Sequence, residues 1–478
     1  MDNKKFASRV TLLVLVNLLV KIIWIFFIER KVQLNVGFQD FGLYYSVYSF
    51  TLILGVINDP GLNNYLIQYL SKGKHHTQHI ATLFYLKTFL AGIYIIITFL
   101  VGLLLGYKNY DLLGLLIMYQ ILYSSLNYLR SFLKSYQLLN AEIVVSVLDK
   151  GLLIIAFLPI LYFNSSFSWT INFYITTHLV ALSISLLMCG YYLLIHKISI
   201  LPKAKIKLNF SVIKRIAPFA VFAFLVLAYN KIDTVMLAKM LPDGNMQNGI
   251  YVAAYRFLDA TSMLPILFAT LFYPIICKII SDSAKVNEAV KNSLSGLIPL
   301  TIIISIVSWF YRFQIMTLLY HQNNSEQLSL IFGVLMLSLP LIVVYYVFST
   351  VFTASNNLKL LNLISAGGLL INIGLNILLI PVYQALGAAI SSLASFCLIG
   401  LAYAIFYHLH FKNTFQLFLW LKILFFALLL VLLAYLIGFL IQNWILGFIL
   451  FVFGSLVLAS LFQFFRFENI KDVISLKP

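Results

Sequence analysis

Apolar stretches long enough to cross a bilayer follow one another along nearly the whole chain, and no other feature limits its fold so severely. A single span needs roughly 20 apolar residues to cover about 30 Å of hydrocarbon. Read on that scale, the sequence holds spans near residues 9–28, 37–57, 79–105, 111–135, 143–163, 169–195, 212–238, 248–279, 293–311, 328–354, 360–380, 384–408, 415–441 and 444–465. Within hydrocarbon every backbone N–H and C=O must find its partner inside the protein, so only helices and closed barrels can span. The runs are continuous rather than alternating, which excludes a barrel. Charged residues make up 10% of the 478 and hydrophobic ones 62%, too few charges to cover a water-facing surface of this size. The expected fold is an all-α integral membrane protein with about 14 transmembrane helices, short connections and no soluble domain.

The formal charge of +17 follows from the same plan, because cytoplasmic loops of membrane proteins are rich in Lys and Arg. With the N-terminus inside, about 21 of these cations fall in cytoplasmic segments, about 5 in outer loops and about 6 within spans. The largest cluster is Lys197, Lys203, Lys205, Lys207, Lys214 and Arg215, and the asymmetry predicts an N-in, C-in chain. Trp169, Trp309 and Trp444 then stand at outer span ends, where interfacial indoles belong. The basic start, Met1 to Arg9, continues past Trp24 with no small-residue cleavage site and reads as the flank of the first span. Cys189, Cys277 and Cys397 lie in apolar stretches at unrelated spacings and read as packing residues. No metal-ligand set, Ser/His/Asp set or Gly-rich phosphate loop stands out, and no cofactor is expected; His75, His76 and His79 read as a solvated basic loop.

An internal repeat divides the chain. Gly42-Leu43-Tyr44-Tyr45-Ser46-Val47-Tyr48-Ser49-Phe50 aligns with Gly249-Ile250-Tyr251-Val252-Ala253-Ala254-Tyr255-Arg256-Phe257, and each block follows an apolar helix holding one lysine, Lys21 or Lys231. Six spans separate the copies, an even number, so the halves are expected to be parallel and related by an axis along the membrane normal. This gives an N-lobe at 1–196, a linker at 197–211, a C-lobe at 212–410 and an added helix pair with its tail at 411–478. The linker, with Pro202, reads either as a hinge strap or as an ordinary positive-inside loop. Prolines at 159, 218, 265, 274, 299 and 340 interrupt spans, as bent helices of a rocking transporter or of a static bundle would.

A charge at the bilayer centre costs roughly 2.5–3.5 kcal/mol on insertion scales, so the charges retained there are the strongest functional clue. They are Lys21, Lys87, Asp149, Lys150, Lys231, Asp233, Arg256, Asp259 and Lys422, with Asp40 and Asp59 near the ends of span two. Arg256 and Asp259 are three apart on one helix face and can neutralise each other. Asp149, Lys150 and Lys422 lie near enough to a membrane surface to snorkel. Lys231 and Asp233, two apart, point to different sides of their helix, so at least one must face another helix or a cavity. Lys21 and Lys87 have no acid within a turn, which makes the first lobe cationic with no deep acid. Lys21, Lys87, Lys231 and Arg256 suit an anionic phosphate or diphosphate headgroup received between the lobes. Tyr44, Tyr48, Tyr251 and Tyr255 in the repeated blocks are candidate sugar contacts, although packing accounts for most membrane tyrosines.

Three segments carry a family resemblance. Phe41-Gly42-Leu43-Tyr44 leading to Asn58-Asp59-Pro60-Gly61-Leu62-Asn63 is one. Asn230-Lys231-Ile232-Asp233-Thr234-Val235-Met236-Leu237, followed by Gly249-Ile250-Tyr251 and Pro274, is the second. The third runs from Asn372 and Asn376 through Ile380-Pro381-Val382-Tyr383 to Gly387-Ala388-Ala389. In this order they resemble the polysaccharide (O-antigen) flippases of the multidrug/oligosaccharidyl-lipid/polysaccharide (MOP) exporter superfamily, over nearly the whole chain. Gln384 stands where that pattern has its first glycine. The resemblance implies a MATE-like fold of two six-helix lobes. It also implies a flippase moving undecaprenyl-diphosphate-linked oligosaccharide outward across a bacterial cytoplasmic membrane, with a polysaccharide polymerase and a chain-length regulator as possible partners. Asp59, Gly61, Asn372, Asn376, Pro381 and Gly387 are its motif positions here; the inside-negative potential can drive an anion outward, with proton or sodium antiport through Asp233 or Asp259 as the alternative. A lipid II flippase and a cation-coupled multidrug extruder remain open within the superfamily; a membrane glycosyltransferase or polymerase is the enzyme alternative.

Overall fold

A computed structural model of the chain describes residues 16–17, 19–71, 77–163, 167–198, 211–320, 325–411 and 417–464. The basic start, His75 and His76, Pro202 with Lys203, Lys205 and Lys207, and the tail beyond residue 464 lie outside these residues, as do the side chains of Lys214 and Arg215. Helix is the only regular structure among the described residues. A π-helical turn, Trp24–Glu29, runs into α1 (Arg30–Val36). Then follow α2 (Phe38–Leu54), α3 (Leu62–Ser71), α4 (Thr77–Leu104), α5 (Tyr110–Ser135), α6 (Leu139–Phe163), α7 (Ile171–Ile195) and α8 (Ser211–Met240). The rest of the chain forms α9 (Gly244–Thr261), α10 (Met263–Ile279), α11 (Ser283–Phe310), α12 (Arg312–Tyr320), α13 (Ser325–Met336), α14 (Leu339–Ala354), α15 (Leu358–Phe411), α16 (Leu417–Leu440) and α17 (Trp444–Leu461).

Among the described residues, eleven stretches are long and apolar enough to cross a membrane. One of them, the 54-residue α15, is two spans. Gln384 breaks it with φ 53° and ψ −132°, and a Cβ added at Gly387 would stand 2.6 Å from the carbonyl carbon of Leu379. Eight residues of straight helix would hold those positions about 12 Å apart, so the chain reverses there. The 17-residue α2 and the helix ending at Val36 supply the remaining two, which gives the fourteen spans expected. Their outer faces are apolar: Phe439 is 88% exposed and Leu104 86%, a surface that only lipid would cover. Of the spans' prolines, those at 159, 218, 274 and 299 lie inside helices, while Pro340 sits in the first turn of α14, where a missing N–H costs nothing.

Two compact units divide the chain, residues 1–249 and 250–478. In the first, α5 packs on α7 and α3, α6 on α7, and α2 is held between α5 and α8. α2 approaches the start of α9 closely. A Cβ at Gly42 would lie 2.6 Å from the Gly249 nitrogen, and one at Gly249 would lie 2.6 Å from the Phe38 carbonyl carbon. The glycines that head the two repeated blocks therefore meet backbone to backbone, as small residues permit where helices cross closely. Side-chain amides tie the crossing: Asn248 Nδ2 donates to the Gly42 carbonyl at 2.7 Å, and Gln33 Nε2 to the Gly249 carbonyl at 2.8 Å. In the second unit α14 packs against α10, α11 and α15, and the stretch holding it has 72% of its apolar window buried. The final pair, α16 and α17, packs on itself and on α11; the α17 window is only 22% buried, so most of that helix faces outward.

Gln384 occupies a backbone region that suits glycine and strains an L residue by about 1–3 kcal/mol. Gln384→Gly is expected to raise the melting temperature of the detergent-solubilised protein, and Gln384→Val to lower it. A lower melting temperature for the glycine variant would contradict the assigned turn.

Candidate functional site

In the first unit an aromatic and cationic cluster is assembled from four helices and the π turn. The 44, 45, 48 spacing places three tyrosines of α2 on one side of that helix. Tyr44 and Tyr48 stack at 5.9 Å between ring centroids, and Tyr45 tilts against Tyr48 at 5.7 Å. Tyr119 from α5 meets Tyr48 edge-on at 5.9 Å and stacks on Tyr123 at 6.2 Å. Tyr174 and His178 from α7 close the far side, with Tyr44 5.5 Å from Tyr174 and Trp24 of the π turn 5.2 Å from His178. Into this cluster α8 sends Lys231, 9% exposed, whose Nζ donates to the Tyr45 hydroxyl at 3.0 Å and lies 5.3 Å from that ring. Phenol and ring face together supply the polar environment that a buried ammonium requires. Lys231 thus turns to α2, on a different side of its helix from Asp233, which is 2% exposed.

The other predicted residues have distinct surroundings. Lys87 of α4 is 6% exposed; its Nζ donates to the Asn58 carbonyl at 2.9 Å and to the Ser124 hydroxyl of α5, so this lysine ties three elements together. Asp59 accepts from the backbone N–H of Gly61 at 3.2 Å and of Asn63 at 3.4 Å, and Gly61 has φ 101°. The Asp-Pro-Gly motif is therefore the cap and turn that start α3. Asp40, exposed in the first turn of α2, complements that helix N-terminus. The Lys150 Nζ lies 4.9 Å over the Trp24 ring and 4.0 Å from Asp149. Lys21 is half-buried on the helix leading into the π turn.

Two acids that the sequence reading did not single out also lie in this unit. Glu142 is 1% exposed and receives Arg130 through Nε at 3.1 Å and Nη2 at 2.7 Å, with Lys134 at 3.7 Å. Arg130 lies about as far before the α5–α6 turn as Glu142 lies beyond it, so antiparallel helices bring them to one level. Gln137, with φ 56°, makes that turn. Glu29, half-buried, lies within electrostatic reach of Tyr44 and Tyr119. Both acids fall just outside the apolar runs, at 28 and 143, whereas the helices continue: nothing breaks the first one before Gly37, whose φ is 93°.

In the second unit Arg256 is 3% exposed, and Asp259, half-buried one turn on, is electrostatically coupled to Tyr346. Tyr251 is fully buried, stacks on Tyr255 at 5.7 Å and lies 3.4 Å from the Ser392 hydroxyl. Asn372 and Asn376, both fully buried, are joined by a 3.1 Å hydrogen bond along α15. Pro381, exposed, and Gly387, buried, flank the reversal at Gln384. Replacing Glu142 by Gln is expected to destabilise the solubilised protein by about 2–3 kcal/mol, because Arg130 stays largely buried without its anion. Replacing both residues by Met is expected to cost less than that single change; thermal unfolding of the two variants and the wild type checks the order.

Comparison with known proteins accords with this architecture. Residues 6–280 match the family model described as "Polysaccharide biosynthesis protein". A search of curated proteins returns no match. Among solved structures, the lipid II flippase MurJ in an inward closed conformation superposes with a TM-score of 0.70 at 16% identity, covering 97% of this chain and 99% of that one. An inward-facing multidrug resistance MATE family transporter of the MOP superfamily gives 0.63 at 14% identity, covering 84% of this chain and 98% of that one. A MOP superfamily transporter from Pyrococcus furiosus, whose title describes a binding pocket of reverse polarity, gives 0.59 at 15% identity over 87% and 98%. At such identities the likeness speaks for fold, and the family model speaks for kinship: this multi-pass membrane chain belongs to the polysaccharide biosynthesis protein family and has the MOP-superfamily transporter fold.

Proposed function

We propose that this protein is a flippase moving undecaprenyl-diphosphate-linked oligosaccharide, an O-antigen or other surface polysaccharide repeat unit, from the inner to the outer leaflet of a bacterial cytoplasmic membrane. The observation that carries this reading is Lys231, a lysine buried within a span and held against tyrosines in a member of a polysaccharide biosynthesis family. A buried ammonium exchanges its phenol partner readily for a phosphate oxygen, because a charge-assisted bond is stronger than a neutral one. Tyr44 and Tyr48 offer ring faces beside it on which a sugar can stack. In this reading Lys21 and Arg256 add positive charge along the route, while Lys87 holds the framework together.

The inside-negative potential favours outward movement of an anion by about 2.3 kcal/mol per charge per 100 mV. A diphosphate carrying two charges is then driven without ATP; Asp233 and Asp259 are the groups through which a proton or sodium gradient would act instead. After transfer, the repeat unit passes to a polymerase and its chain-length regulator. The buried acids Glu142 and Asp149 stand beside Arg130 and Lys150, so the kinship, more than the charge balance of this unit, separates the proposal from a multidrug extruder. A lipid II flippase handles the same diphosphate chemistry, and the glycan tells the two apart.

Lys21→Ala, Lys231→Ala and Arg256→Ala, tested singly in a flippase-null strain, are expected to reduce glycan display at least tenfold at normal protein levels, with Lys231→Ala the most severe. Lys87→Met is expected to lower protein abundance as well, since it unties Asn58 and Ser124. Full display in the first three variants would sink the cationic site; rescue of a strain lacking its lipid II flippase would reassign the substrate.

A further inference from the structure

We propose that Asp149, with the stacked Tyr119 and Tyr123 rings, binds the first sugar of the lipid-linked oligosaccharide, and that this sugar is neutral rather than acidic. The inference deepens the flippase reading and rests on it. Asp149 stands about 15 Å along α6 from its start at Leu139, within the span. It is 7% exposed, yet none of the described residues donates a hydrogen bond to its carboxylate. The Lys150 ammonium lies 4.0 Å away, beyond hydrogen-bond distance, and stands over the Trp24 ring. A second polar group of the cluster is in the same position. His178 of α7 is 6% exposed and packs edge-on against Trp24 and Tyr119, and its Nε2 has no hydrogen-bond partner among the described residues. Buried polar groups of a folded chain are nearly always bonded, so two that the protein leaves without partners in one cluster point to a ligand.

The surroundings give the ligand's class. Asp149 lies within electrostatic reach of Tyr119, which stacks on Tyr123 with the two planes 3° apart. Tyr123 is 41% exposed and Tyr119 half-buried. Towards the cytoplasmic end of α5 the same face continues through Asn127, Arg130 and Lys134, each at least partly exposed. A polar, accessible stripe inside a span faces water rather than lipid, and so gives a headgroup arriving from the cytoplasm its way to the stack. A carboxylate beside a flat aromatic face suits a pyranose, whose hydroxyls donate to the acid while its apolar face lies on the ring. An acidic sugar would set its own carboxylate against Asp149, and like charges at such range repel. Tyr48 joins the stack to the Lys231 site, 5.9 Å from Tyr119 and 5.7 Å from Tyr45, so the sugar recognised is the one next to the diphosphate.

The test is native mass spectrometry of the full chain in detergent, titrated with undecaprenyl diphosphate bare, bearing N-acetylglucosamine, or bearing glucuronic acid. The wild type is expected to retain the N-acetylglucosamine lipid most tightly. Asp149→Asn is expected to weaken that lipid roughly tenfold, as loss of a charge-assisted hydrogen bond does. The same variant is expected to hold the bare diphosphate at least as tightly as the wild type, because a repelling charge is gone, and to narrow the gap to the glucuronic lipid. Tyr123→Leu changes an exposed ring and no buried group, and is expected to cut the preference for the neutral sugar roughly threefold. Lys231→Ala is expected to weaken all three lipids. Equal retention of the bare and N-acetylglucosamine lipids by the wild type, tighter retention of the glucuronic one, equal weakening of all three by Asp149→Asn, or an unchanged preference in either variant would each overturn the assignment. If Asp149→Asn does not fold, Tyr123→Leu decides. A wild type that binds none of the lipids overturns the flippase reading as well, whereas binding that only Lys231→Ala weakens leaves that reading standing without this one.

Discussion

Hydrocarbon has no hydrogen bond to offer, either to a backbone amide or to an ammonium group, and both halves of that constraint shape this chain. The backbone half leaves helix as the way through. The side-chain half obliges each charge carried into a span to find a partner in the protein. Lys231 reaches the Tyr45 phenol, Lys87 reaches a carbonyl and a hydroxyl, and Arg130 reaches Glu142. These bonds cross between helices, so the charges that burden insertion also set which helices become neighbours. The proposed transport site draws on the same requirement, because a phenol that satisfies a lysine at rest can yield it to a phosphate.

Close backbone approach is the second organising element. Gly42 and Gly249 head the two repeated blocks and allow α2 to reach the start of α9 with no side chain between them. The amides of Asn248 and Gln33 then bond to the carbonyls of Gly42 and Gly249, which a bulkier residue at either glycine would hold out of reach. Gly387 has the same use at the reversal of α15, where the chain turns back on Leu379. Packing between helices gains little from hydrophobicity when the surrounding lipid is equally apolar, so contacts of this kind carry more of the specificity.

Much of the fold was legible, and particular residues show where legibility ended. Continuous apolar runs marked where the spans lie, including the two that the single helix α15 joins, while helices such as α11, which begins at Ser283, run well past their apolar runs. Glu29 and Glu142 were missed because a helix does not stop where its apolar run stops: the first continues to Val36 and α6 begins at Leu139. Lys87 read as an isolated cation because its partners, Asn58 and Ser124, are 29 and 37 residues away, and one of them is a backbone carbonyl. Gln384 stood out as a departure from a motif, and the φ of 53° explains why glycine suits that position. Asp59 and Gly61 belonged to a recognisable pattern whose immediate use is to start a helix.

Composition and periodicity by themselves determined that the chain spans a membrane many times, which side its loops face, and that its two halves share a repeated block. Those properties depend on local hydrophobicity and charge, which each segment carries in its own residues. Only the tertiary structure decided which buried charges are committed to the framework and which stand among aromatic rings. That distinction depends on partners brought from distant helices, Tyr45 to Lys231 across 186 positions and Ser124 to Lys87 across 37. No local pattern records such meetings, because they follow from how the helices pack.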